Sequence, residues 1–136
     1  MRIADVMTRD LPTLEPDRSV REAAASMTER GVKALPICEG EQLVGIVTDW
    51  DLAKAVAGGE DLDSLQVASV MSTDLVEAAP HATFADAAHL MADRQVHHLL
   101  VSSDGRFEGM VHLDVEWSEL TEQLAGAPMA TFAARI

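Results

Sequence analysis

From Val20 the apolar residues recur at helical spacing through Ala23, Ala24 and Met27, and the run stops at Gly31. Ser19-Val20-Arg21-Glu22 has the Ser-x-x-Glu spacing in which a serine hydroxyl and a glutamate satisfy the first free N–H groups of a helix, so a helix is predicted here. Two short apolar runs follow, Ala34–Cys38 and Leu43–Thr48, separated by Glu39-Gly40-Glu41-Gln42, which has the composition of a hairpin turn. A second helix is predicted from Asp49 or Asp51 to about Ala57, where Gly58-Gly59 break it. Ahead of these elements lie a short helical turn at Ile3–Met7 and an extended stretch, Leu11–Leu14, closed by Glu15-Pro16.

The pattern then repeats. A shift of 64 residues, without a gap, pairs Ala4 with Ala68, Met7 with Met71, Pro16 with Pro80, Met27 with Met91, Arg30 with Arg94, Leu35 with Leu99, Gly45 with Gly109 and Val47 with Val111. Each unit of such a repeat leaves an apolar face that its neighbour covers, so two units are expected to form one cooperative, pseudo-two-fold body. The second copy predicts a helix opened by Thr83–Asp86, strands at His98–Ser102 and Phe107–His112 around Ser103-Asp104-Gly105-Arg106, and a helix from Asp114 to Leu124. The resulting organisation is an α/β (α+β) chain of two β-α-β-β-α units, residues 1–58 and 65–124, with a linker at 59–64 and a tail at 125–136. The tail is expected to dock, because Met129, Phe132 and Ile136 are costly to expose together.

Composition narrows the partners. The 136 residues hold 10 basic and 23 acidic side chains, a net charge of −13 that is spread over both halves. Phosphate backbones and anionic membranes are repelled by such a surface, and 4% aromatics without tyrosine gives no base-stacking platform. No apolar run approaches the roughly 18 residues that span a bilayer, and no secretory signal pattern opens the chain, so a soluble cytoplasmic protein is expected. The single cysteine, Cys38, lies on an apolar strand and reads as a buried structural thiol, and the seven methionines read as core. Phosphate-loop, dinucleotide, serine-hydrolase and HExxH patterns are all missing from the sequence. Asp49 and Asp51 have no evident nucleophile, base or metal-ligand partner, and an enzyme is not expected.

The residues that recur most distinctively are Ala4-Asp5-Val6-Met7-Thr8, Val32-Lys33-Ala34-Leu35-Pro36-Ile37 and Gly45-Ile46-Val47-Thr48-Asp49-Trp50-Asp51-Leu52. Over about residues 1–124 the chain resembles a tandem pair of CBS domains, named after cystathionine beta-synthase, whose β-α-β-β-α units pair into a Bateman module with two clefts. The resemblance implies an adenosine-type ligand, AMP, ADP, ATP or S-adenosylmethionine, held as a regulatory ligand with no required cofactor. It implies Thr48 and Asp51 as phosphate and ribose contacts, Lys33 as phosphate counter-charge, Ala34 and Ile46 as adenine wall, and Leu75 and Val76 as the contribution of the opposite unit. The residue chemistry agrees. A carboxylate at a helix start can accept from two vicinal hydroxyls, while a threonine hydroxyl and free N–H groups can meet a phosphate. The same spacing also suits a helix that merely caps itself, and that alternative stays open. Trp50 replaces the basic residue frequent between this Thr and Asp in nucleotide-binding relatives, which favours monophosphates or nucleosides.

The corresponding second cleft, with Pro12, Thr13, His97, His98, Met110 and His112, departs from the pattern. His112 replaces the threonine and Val115 the ribose aspartate. Loss of that acceptor costs on the order of 1–3 kcal/mol, so one ligand-competent and one altered cleft are expected. Strand alternation separates His97 from His98, too few ligands for a metal, and a pH-sensitive anion site at His97 and His112 is the preferred use of these imidazoles. The resemblance further implies a homodimer through helices of both units; an effector protein that reads ligand occupancy, and no catalytic domain in cis, are expected. The alternative is an interaction module with vacant clefts.

Overall fold

A computed structural model describes residues 1–114; the expected helix from Asp114, Val115 and the tail lie outside the described residues. Its chain divides into two compact units, each built around one repeat.

The first unit comprises Asp10–Leu75 and Gly105–Phe107. Helix α1 (Val20–Arg30) starts where the Ser19 hydroxyl accepts from the Glu22 N–H at 3.1 Å, and ends at Gly31 in the left-handed conformation with φ 64°. Strands β1 (Ala34–Glu39) and β2 (Gln42–Thr48) form an antiparallel hairpin with Ala34 opposite Thr48 and Leu35 opposite Val47. Helix α2 (Asp49–Ala57) leaves β2 without an intervening loop, since Thr48 is already its cap. Val20, Ala23, Met27, Leu35, Ile37, Val47 and Ala55 form the core, so the apolar spacing of α1 and the apolar runs of both strands face one interior. Burying each large side chain contributes roughly 1.5–3 kcal/mol.

The second unit comprises Met1–Arg9, Val76–Asp104 and the described residues from Glu108 on. Strand β3 (Glu77–Ala78) runs parallel to β4 (His98–Ser103), which neighbours β5 (Arg106–His112). Helix α3 (Phe84–Arg94) is capped by the Thr83 hydroxyl, which accepts from Asp86 N–H at 3.1 Å. Met91, Leu99, Val101 and Val111 are fully buried beneath it.

Each compact unit thus includes the opening segment of the other repeat. Val67 is fully buried in the first core, and Ser72 exchanges both backbone hydrogen bonds with Ile46 at 2.9 and 3.0 Å. In the second unit Ile3 is fully buried and Thr8 makes the same exchange with Met110 at 2.8 and 3.0 Å. Compact-unit boundaries therefore fall near residues 9 and 75, whereas the sequence repeats divide near 58 and 65. The expected linker is part of the first unit, where Arg21 N–H donates to Leu62 O at 3.1 Å and Val20 N–H to Leu65 O at 2.8 Å. Glycine permits this close docking. A Cβ on Gly45 would lie 2.5 Å from Met71 Sδ, and one on Gly109 would lie 2.8 Å from the Thr8 carbonyl oxygen.

The expected extended stretch Leu11–Leu14 forms no strand. Leu14 alone bridges Ile37, while its copy in the second repeat extends to β3.

Candidate functional site

The β2-to-α2 junction concentrates polar chemistry. Thr48 is extended, with φ −113° and ψ 168°, so its N–H points toward the first turn of α2. There Asp51 Oδ2 accepts from Thr48 N–H at 2.8 Å and from the Thr48 hydroxyl at 3.2 Å. Asp51 is 7% exposed, the one buried charged side chain among the described residues. A buried carboxylate requires hydrogen bonds or a counter-charge. Its second oxygen, Oδ1, lies 3.6 Å from Lys54 Nζ.

Of the residues expected at this site, the structure brings Lys33, Ala34, Thr48 and Asp51 together. Lys33 is exposed and its carbonyl accepts from Asp49 N–H at 3.0 Å, while Ala34 is fully buried opposite Thr48. Ile46 lies two positions up β2 and commits its backbone to Ser72. Leu75 belongs to the same unit, half-buried; Val76 belongs to the other unit, where it packs in the core and accepts from Leu100 N–H. Trp50, 67% exposed, has its N–H engaged by Asp49 Oδ1 at 2.9 Å.

Asp51 and Lys54 also line a recess of about 450 Å³ in this unit, together with Ala55, Gly58, Glu60, Leu65, Ser69 and Val70. That volume falls within the roughly 300–1,000 Å³ typical of small-molecule sites. The sequence reading did not pick out Lys54 or Ser69. Lys54 was detectable, because a lysine three residues after an aspartate shares its helix face; Ser69 arrives from a distant segment and left no local signal.

In the second repeat the positions matching Ala34 and Thr48 are His98 and His112. Their rings meet, with His112 Nδ1 and His98 Nε2 3.1 Å apart and ring centroids separated by 4.6 Å. The residue seen against His112 is His98, the first of β4, whereas the expected companion His97 precedes that strand. His97 contributes its carbonyl to Leu113 N–H at 2.9 Å. Met110 is buried beside Thr8, whereas Pro12 and Thr13 belong to the other unit. Among the described residues no group of three or more His, Cys, Asp or Glu side chains could hold a metal ion, and no helix is long and apolar enough to cross a membrane. Cys38 is buried at 4% exposure and that burial pushes its thiol pKa up.

The CBS domain family model matches residues 3–58 and again 67–114. The chain belongs to the CBS domain family. A curated relative, the CBS domain-containing protein YhcV of Bacillus subtilis, is 32% identical over 133 residues, covering 96% of this chain and 94% of its own length. Among solved structures, the CBS domain pair of protein MJ0100 in complex with 5′-methylthioadenosine and S-adenosyl-L-methionine superposes with a TM-score of 0.74 at 26% identity, over 93% of this chain and all of its own. The CBS domain protein PAE2072 from Pyrobaculum aerophilum, complexed with AMP, shares the fold with a TM-score of 0.78 at 20% identity, over 93% of this chain and 100% of its own. The mixed α/β architecture is thus that of a CBS pair, a Bateman module.

Proposed function

We propose that this protein is a non-catalytic regulatory sensor that binds an adenosine-containing ligand at the β2-to-α2 junction of its first repeat. The observation that carries the reading is Asp51: a buried carboxylate beside a threonine cap, lining a recess of small-molecule size. Complexes of related CBS pairs with S-adenosyl-L-methionine or AMP supply the ligand class.

In this reading Asp51 receives the ribose hydroxyls, the Thr48 hydroxyl meets a phosphate, Lys33 supplies counter-charge, and Ile46 and Leu75 border the base. Occupancy shifts the balance between two states of a homodimer or a partner interface, because a ligand changes a protein only by preferring one of its states. The second repeat has an imidazole pair where the first has Ala34 and Thr48, and takes no adenosine ligand. The cytoplasm is the compartment where such ligands and a lone reduced thiol coexist.

One observation favours a second reading. Asp51 already satisfies Thr48 and pairs with Lys54, as a purely structural cap would, and a module with vacant clefts would signal through its helices alone. Thermal denaturation with and without AMP, ATP and S-adenosylmethionine separates the two. The sensor gains about 2.7 kcal/mol at a ligand concentration one hundred times the dissociation constant, and Asp51→Ala removes the gain. A melting temperature indifferent to all three ligands would establish the vacant module instead.

A further inference from the structure

Lys33 and Lys54 are the only two lysines in a chain of net charge −13, and both lie at the β2-to-α2 junction. Lys33 is tied there by its carbonyl, and Lys54 faces Asp51 one turn into the helix. The two members of the Asp51–Lys54 pair differ sharply in exposure, the carboxylate side chain at 9% and the lysine at 60%. The aspartate is fixed by Thr48, and the lysine is a flexible, mostly exposed stem that lines the recess. Their 3.6 Å separation is an ion pair without a hydrogen bond, which a closer donor can displace.

We infer that Lys54 is the charge-reading residue of the site, and this rests on the proposed adenosine-ligand function. In the empty site its ammonium neutralises Asp51 Oδ1. When sugar hydroxyls donate to that oxygen the ammonium is released, and its remaining attraction is to an anionic group on the same ligand. Glu60 also lines the recess and disfavours an uncompensated anion there, and Lys54 is the cation of that lining. The ligand class that fits is a nucleoside 5′-monophosphate. A neutral nucleoside gains nothing from the freed lysine, and S-adenosylmethionine, cationic at the same end, is repelled by it.

The test compares equilibrium affinities of AMP, adenosine and S-adenosylmethionine for the full chain and for Lys54→Gln, an exposed change that leaves Asp51 and Thr48 in place. Lys54→Gln weakens AMP about tenfold or more, the usual worth of a charge-assisted hydrogen bond, leaves adenosine unchanged or tighter, and tightens S-adenosylmethionine. Equal shifts for AMP and adenosine, or none, would overturn the role of Lys54 while leaving the site intact. Failure of the parent protein to bind any of the three would overturn the adenosine-sensor function, and this inference with it.

Discussion

At the scale of single residues, Asp51 does two jobs that mutation can separate. Asp51→Asn keeps an oxygen acceptor for Thr48 N–H but loses the charge, whereas Asp51→Ala loses both. Chemical denaturation should show Asp51→Ala about 1 kcal/mol less stable, the worth of a helix cap, with Asp51→Asn closer to the parent. Ligand affinity should fall in both; a full-strength ligand response in Asp51→Ala would remove Asp51 from the site. Cys38 gives a separate residue-level expectation. Burial raises its pKa in the fold, so the stability this provides is complete below the unfolded thiol's pKa and is lost as pH rises through the higher folded one. A thiol reagent at pH 8 should modify the native protein far more slowly than the denatured one, and equal rates would contradict the burial.

Elements were the most legible level in the sequence, because period and caps are local. Ser19 and Thr83 cap the helices that their spacing predicts, and β1, β2, β4 and β5 fall on the expected apolar runs. The turn expected at Ile3–Met7 is present as a 3-10 turn at Ile3–Asp5, but where the opening segments dock escaped that reading. Their binding surface lies on the other repeat's strands, and a bridge such as Ser72 to Ile46 leaves no periodic trace. The recurrence of Gly45 as Gly109 and of Met7 as Met71 held the clue, since each glycine makes room for the methionine of an exchanged segment. Gly109→Ala should cost about 1–3 kcal/mol, as overpacking does. Its Cβ would meet the Thr8 backbone, while in Gly45→Ala the nearest atom is the end of a flexible methionine side chain. Gly109→Ala should therefore lower the melting temperature more, and the reverse order would contradict the packing described. The His98–His112 contact was half legible: alternation excluded a three-histidine site, but choosing between His97 and His98 required the pairing of β4 with β5.

For the whole molecule, the repeat and the family pattern disclosed the fold, and the divergence between the two copies carries the functional account. The first copy keeps Thr48 and Asp51 beside the two lysines; the second puts His98 and His112 at the positions of Ala34 and Thr48. If a homodimer carries the proposed signal, sedimentation should give twice the 14.6 kDa chain mass, and a monomer at all concentrations would argue against that carrier. The central claim is that one of the two copies senses an adenosine ligand. Isothermal calorimetry with AMP tests it most directly. The account predicts one site per chain, lost in Asp51→Ala and retained in His112→Ala; two equivalent sites, or a site that survives Asp51→Ala and disappears in His112→Ala, would contradict it.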